Sequence, residues 1–338
     1  MTTATASEPA TSLLARLRRL GSTPASGFEG VAGPIETGWL EAGAPLAEAE
    51  AEIVEGDAER LRARAVGAPG AGALACFLDG IQRAGVALFR EAVPVVYAYG
   101  AAVIRVRRDG RMATLTDAAE RPYLEEREAA FFPFSLLAPE AVEAHGIPRA
   151  RLVDTSEGVS PPPPLFPPAL YARAAERINH WREEIERRLA ERWCESGASG
   201  WLLVDGSLTV SPELAQCPRA LGVIKSHRTR FFDTEDARVV LGLRAGERTS
   251  VFRPTTRQFT PVYSWYLRLR SPAGHDALWG LVRVEVAAHS ESIERADEIS
   301  RWLLAETAPL ALPDARWDRL LYAIRDCEEY LRARAPRL

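Results

Sequence analysis

At 338 residues the chain is long enough to bury a sizeable core, as one elaborated domain or two smaller ones. Its 47% hydrophobic and 26% charged residues are ordinary for a globular protein, and a net charge of −4 excludes a global basic signature, so any polyanion must be met by a local patch. Four scattered cysteines without C-x-x-C, and five histidines without H-x-x-x-H or H-E-x-x-H, argue against a disulfide framework or a zinc motif.

No apolar run is long enough to span a bilayer, and the Thr- and Ala-rich start lacks the parts of a signal peptide, so a cytoplasmic protein with no membrane association is expected. Residues 1–11 read as a tail. Leu13–Leu20 reads as a short amphipathic helix, docked on the body or serving as a partner-binding arm. Pro45 suits the first turn of a solvated helix carrying Leu46 through about Ala65, which makes 1–66 a tail and helical arm. Leu74–Leu78 is an apolar strand leading into Asp79-Gly80; alone such a pair is usually a turn, but a second, Asp205-Gly206 after Trp201–Val204, makes the better case for a site. Val95–Arg107 is a long strand, turned by Asp109-Gly110 into Met112–Leu115. A first strand carrying Asp, followed by a hairpin, is the order of an RNase H-like sheet.

The acidic stretch 117–160 is expected to be largely helical, and the prolines at 161–164, 167 and 168 form a stiff connector; together they give a helical insertion over about 117–168. Tyr171–Trp193 is a helix with the stripe Ile178, Trp181, Ile185, Leu189 and Trp193; Glu186 borders that stripe, while Glu183, Glu184 and Glu191 point further away. Trp201–Val204 is a buried strand that delivers Asp205 before the break at Gly206-Ser207. Leu221–Ile224 delivers Lys225, the only lysine in the chain, ahead of His227, Arg228 and Arg230. Residues 237–243 fit either helix or strand. Antiparallel strands follow at Thr249–Phe252, Val262–Arg270 and Leu281–Ala287, the last containing Glu285, and then helices over 291–304 and 317–334.

Carboxylates gathered at one end of a sheet repel one another unless a cation neutralises them, and oxygen ligands of this kind suit Mg²⁺ or Mn²⁺. Asp79, Asp205 and Glu285 are the strand carboxylates, and Glu186 is the helix carboxylate best placed to join them; Glu285 has an alternative partner in Arg268. A chain that otherwise uses arginine throughout keeps one compact ammonium, at Lys225, where it would meet a phosphate. His227, Arg228 and Arg230 are candidate DNA contacts. Arg253, Arg257, Arg268 and Arg270 lie among Phe252, Tyr263, Trp265 and Tyr266, which would either stack bases or fill the core. Asp314 and Asp318 flank the start of the last helix as caps or as a late carboxylate. Walker A, G-x-G-x-x-G and G-x-S-x-G motifs are missing. Paired carboxylates would also serve a glycosidase, but Lys225 and the basic residues beside it argue against one.

F-L-D-G at 77–80, L-L-V-D-G-S-L at 202–208 after a Glu-bearing helix, and L-G-V-I-K-S at 221–226 resemble the NurA nucleases. R-V-E-V at 283–286 and A-P-L-A-L-P-D-A-R at 308–316 fit that family less specifically. The resemblance, over residues 70–325, implies an α/β fold: an RNase H-like mixed sheet flanked by helices, with additional helical and antiparallel-strand insertions in a domain spanning 67–338. It also implies Mn²⁺- or Mg²⁺-dependent DNA cleavage, 5′-to-3′ exonucleolytic with endonuclease activity on single strands, by a homodimer docked on a HerA-type hexameric translocase. Asp79 and Asp205 match the two metal-binding aspartates and Glu186 the helix glutamate, with Glu184 and Glu191 as competitors. Two positions depart from the pattern. Ile81 follows Asp79-Gly80 where a small polar residue is usual, and Arg316 stands where the closing motif often has His. Arg316 keeps open a different class of function, a non-catalytic subunit that binds DNA and the translocase.

Overall fold

The computed structural model describes residues 47–56, 59–70, 72–144, 147–158, 160–255, 260–307 and 321–336. Its centre is five strands: β1 (Leu74–Arg90), β2 (Val93–Arg108), β3 (Leu124–Phe132), β4 (Trp201–Asp205) and β5 (Ala220–Ile224). Their order in the sheet is β3-β2-β1-β4-β5. β2 runs antiparallel to both β1 and β3, β4 is parallel to β1, and β5 is parallel to β4. The long helix α1 (Pro167–Glu195) connects β3 to β4 and makes the parallel crossover. This is the RNase H-like arrangement expected from the sequence.

The sheet is extended beyond β5 by β6 (Val262–Arg268) and β7 (Leu281–Ala287), with β7 antiparallel to β5, and reaches thirteen strands among the described residues with the shorter pieces. α1 covers one face: Ile185, Leu189 and Trp193 pack on Cys76, Leu78, Ile104, Leu202 and Val204. α2 (Ala296–Ala305) and α3 (Tyr322–Arg334) cover the other, where Ile299, Leu303, Ile324 and Cys327 meet Phe77, Val103, Leu203 and Trp265. The stripe on α1 (Leu170, Ala174, Ile178, Ile185, Leu189, Trp193) keeps helical spacing and starts behind Pro167 and Pro168, whose missing N–H groups cost nothing in a first turn. Gly100 on β2 lets α1 come close, because a Cβ there would lie 2.6 Å from the Trp181 ring.

Three expectations are corrected. Where a helix over 46–65 was expected, the described residues form strands Glu50–Ile53 and Ala63–Ala65, paired with Phe252–Thr255 and Glu247–Thr249, so this segment extends the sheet. The insertion at 117–168 supplies β3 and the strand Leu152–Asp154; its described helical parts before α1 begins at Pro167 are the short helix Glu140–Glu143 and the 3-10 turn Arg149–Arg151. Asp79-Gly80 is not a turn: β1 runs straight through it to Arg90 because β2 pairs with it along almost its whole length. Residues 237–243 resolve as the C-terminal part of the helix Thr234–Leu241, capped by Asp233, whose carboxylate accepts from the Glu235 and Asp236 N–H groups. The tail, the helix at 13–20, Pro45, His145, Arg257, the 308–316 motif, Asp314 and Asp318 lie outside the described residues.

Candidate functional site: a carboxylate cluster where the sheet gaps

β1 pairs with β4 only from Leu74 to Leu78; β4 then stops at Asp205 while β1 continues to Arg90. Leu78 pairs with Val204, which puts Asp79 and Asp205 at the same level, on the same face as Phe77 and Leu203. Past that point the sheet has a gap through which residues of both faces converge. An open cleft of about 560 Å³ lies there, lined by Gly80, Gln82 and Arg83 of β1, Asn179 and Arg182 of α1, and Glu328 and Arg332 of α3.

Asp79 is 7% exposed. Its Oδ1 accepts the Gly80 N–H at 2.8 Å, and its Oδ2 is buried without a hydrogen-bond partner. Burial pushes this carboxyl well above the usual carboxylate range; the negative charges of Asp205, Glu186 and Glu328 add to that and Lys225 works against it. Asp205 Oδ2 accepts from Lys225 Nζ at 2.7 Å. The ammonium is held above its ordinary value, because the attraction of Asp205 and Asp79 outweighs the burial that opposes it.

Glu186 enters from the α1 side, its Oε1 bonded to Arg182 one turn earlier. Burial, helped by Asp205 and Glu183, pushes its carboxyl up to about 7 despite Arg182. Gly80 makes room for it, since a Cβ at Gly80 would fall within 2.8 Å of Glu186 Cγ and Cδ. The competitors Glu184 and Glu191 face arginines of their own helix, Arg188 at 3.8 Å and Arg187 at 2.8 Å.

Sequence reasoning missed Glu328. It enters from the α3 side, 3.1 Å from Arg332 Nη2, and its charge reaches Asp79. Its signal was position: Ile324, Glu328 and Leu331 are spaced as one helix face, so a carboxylate borders the apolar stripe of α3. The sequence pattern points instead to Asp314 and Asp318, which lie outside the described residues.

Glu285 is not brought to this cluster. It pairs in register with Gly222, while Asp205, Val223 and Val284 form the next row, so Glu285 faces the opposite side of the sheet from Asp205. Its carboxylate accepts from Ser207 Oγ (2.7 Å), Leu208 N (2.9 Å) and Arg283 Nη1 (2.5 Å), which fixes the loop that follows Asp205. Gly222 permits this, because a Cβ there would lie 2.7 Å from Gly206 O. Arg268, its other expected partner, is buried and donates to the carbonyls of Leu241, Leu243, Ala277 and Trp279.

Of the expected DNA contacts, Lys225 is in the cluster. His227 is bonded through Nε2 to Leu281 O, Arg230 pairs with Glu48 at 2.6 Å, and Arg228 is exposed. Phe252, Trp265 and Tyr266 are buried and belong to the core rather than to a base-stacking surface.

Among the described residues, no three His, Cys, Asp or Glu side chains stand ready to grip an ion as they are placed. Lys225, Arg182 and Arg332 occupy three of the carboxylates. The donor set is nonetheless that of a hard divalent cation, and the orphaned Asp79 oxygen is the kind of buried atom such a cation would satisfy. A scan against protein-family models finds no match to this chain, and no curated protein matches it significantly.

Proposed function

We propose that the chain is a divalent-cation-dependent DNA nuclease of the NurA kind, acting as a 5′-to-3′ exonuclease, an endonuclease or both, in DNA end processing or defence. The observation that supports this best is the Asp79 carboxylate, buried beside Asp205, Glu186 and Glu328 with one oxygen unpartnered. Left so, it is a cost to the fold, and groups of that kind concentrate where a ligand is bound.

Asp79, Asp205, Glu186 and Glu328 would hold Mn²⁺ or Mg²⁺. When bound, the cation would activate water and stabilise the leaving oxygen in phosphodiester hydrolysis. Lys225 supplies the compact positive charge for the scissile or neighbouring phosphate. Glu285 and Gly222 hold the Gly206–Leu208 loop from the opposite face of the sheet, outside the cluster itself. The same reading brings DNA as substrate, a homodimer, and a HerA-type hexameric translocase as partner.

The test is degradation of end-labelled single- and double-stranded DNA in Mn²⁺, Mg²⁺ or EDTA, with Asp205→Ala in parallel. Cation-dependent cutting lost in the variant is the expected result; equal cutting by the variant would refute the assignment. A second reading, a non-catalytic subunit that binds DNA and the translocase, is favoured by one observation: Lys225, Arg182 and Arg332 already pair with three of the carboxylates. No cutting with or without the translocase, alongside intact DNA binding, would select it.

A further inference from the structure

The cleft holds three guanidinium groups, and two of them are tied to α3. Arg83 donates to Pro336 O at 3.0 Å and to Arg332 O at 3.4 Å; Arg332 bridges Glu328 at 3.1 Å and Glu329 at 3.7 Å. Gln82 and Asn179, joined by a 2.6 Å hydrogen bond, add polarity but no charge. Arg182 stands on the α1 wall and, like Arg332 on Glu328, pairs with a carboxylate of the cluster, here Glu186; its other acidic neighbour, Glu183, lies 3.7 Å away and half exposed.

A divalent cation on Glu186 would set two positive groups on one carboxylate, and Arg182 would be expelled. Arg182 and Glu186 are one helical turn apart, so rotation about the arginine side chain turns the guanidinium away from Glu186 towards the open side of the cleft it lines, without moving the backbone. There its planar fork matches the non-bridging oxygens of a phosphodiester.

We infer that Arg182 is a positioning residue for a backbone phosphate of the nucleic-acid strand, held in reserve on Glu186 until a divalent cation takes that carboxylate. The inference rests on the nuclease reading and adds regulation to it: cation and strand bind cooperatively through Arg182. Reciprocity requires that each raise the affinity for the other by the same factor.

The experiment measures binding of a fluorescent single-stranded oligonucleotide to the full chain by anisotropy, in EDTA and in Ca²⁺, which is used as a cation poor at turnover. The wild-type chain is expected to bind about fivefold or more tightly in Ca²⁺, within the usual range for coupled sites, and Arg182→Ala to lose most of that enhancement. The EDTA arm needs no cation. Glu186→Gln frees Arg182, so affinity rises in EDTA, and adding Arg182→Ala abolishes the gain. Arg182→Lys retains part of it, and circular dichroism checks the fold of each variant. A gain that survives in the double variant would mean plain loss of negative charge, and would overturn the inference while leaving the nuclease reading intact. Unchanged Ca²⁺ enhancement in Arg182→Ala would do the same. Failure of the wild-type chain to bind the oligonucleotide in either condition would overturn both.

Discussion

Replacing Glu186 by Gln should stabilise the cation-free protein. The carboxyl is held at about 7 against an ordinary 4.5, so above pH 7 the folded state carries a charge that its surroundings disfavour. A folded value raised above the unfolded one means the native protein binds the proton more tightly, so stability is gained as pH falls from about 8 towards 4.5. The full effect at pH 8 is about 3 kcal/mol, an upper limit because Arg182 loses its partner in the variant. Arg182 is a quarter exposed and can return to water, so a net gain of about 1–3 kcal/mol is expected. Urea denaturation in EDTA at pH 8 and pH 5 reads it out: Glu186→Gln should exceed wild type at pH 8, and the difference should shrink towards zero near pH 5. Equal stability at pH 8, or a less stable variant, would refute the account of Glu186 as a carboxylate whose burial its ion partner does not fully offset.

Gly80→Ala would drive the Glu186 carboxylate from its place, so Mn²⁺-dependent cutting should fall at least about tenfold while the melting temperature changes little, because the atoms displaced are the end of a flexible side chain. Glu285→Gln would break its bond to Arg283 and loosen the Ser207–Leu208 loop, at a cost of about 2–4 kcal/mol measured by denaturation, with Mn²⁺ binding retained. Arg248 is 2% exposed and bonds Glu55 at 2.7 and 2.9 Å and Asp297 at 2.5 Å. Arg248→Ala should cost about 3–5 kcal/mol by leaving Glu55 with only Arg64, 3.4 Å away, and the Val251 N–H. Burial alone would raise the Glu55 carboxyl, but Arg248, the Val251 N–H and Arg64 hold it below its ordinary value, so its contribution is present above the unfolded value of 4.5 and lost as pH falls through the lower folded one. The deficit of Arg248→Ala should therefore narrow in acid, as followed by denaturation between pH 7 and pH 3.

The parts of the chain legible in its sequence are those where local pattern and tertiary environment agree. The apolar runs Leu74–Leu78, Trp201–Val204 and Leu221–Ile224 are buried on both faces, read as strands, and are strands at the sheet centre. They brought Asp79, Asp205 and Lys225 into view, and the stripe on α1 placed Glu186 beside them. Residues 46–65 misled because acidic, alanine-rich composition favours a helix, while pairing with Phe252–Thr255 decides the outcome. The run Glu125–Glu128 misled similarly: β3 carries it, with Glu126 and Glu128 accepting from the Tyr99 and Tyr97 hydroxyls at 2.7 and 2.8 Å. Glu285 could not be placed from sequence because its role turns on a one-residue step in register between β5 and β7. Glu328 escaped notice because a glutamate on a helix is ordinary until the strand gap across from it is known.

The central claim is that Asp79, Asp205, Glu186 and Glu328 form one divalent-cation site. Binding of Mn²⁺ to the full chain, followed by electron paramagnetic resonance of the free ion, tests it most directly when Asp79→Asn and Glu328→Gln are compared with Glu285→Gln. Binding by the wild-type chain and by Glu285→Gln, weakened at least about tenfold in the other two, is the predicted result. Absence of Mn²⁺ binding by the wild-type chain, or full binding by Asp79→Asn, would contradict it.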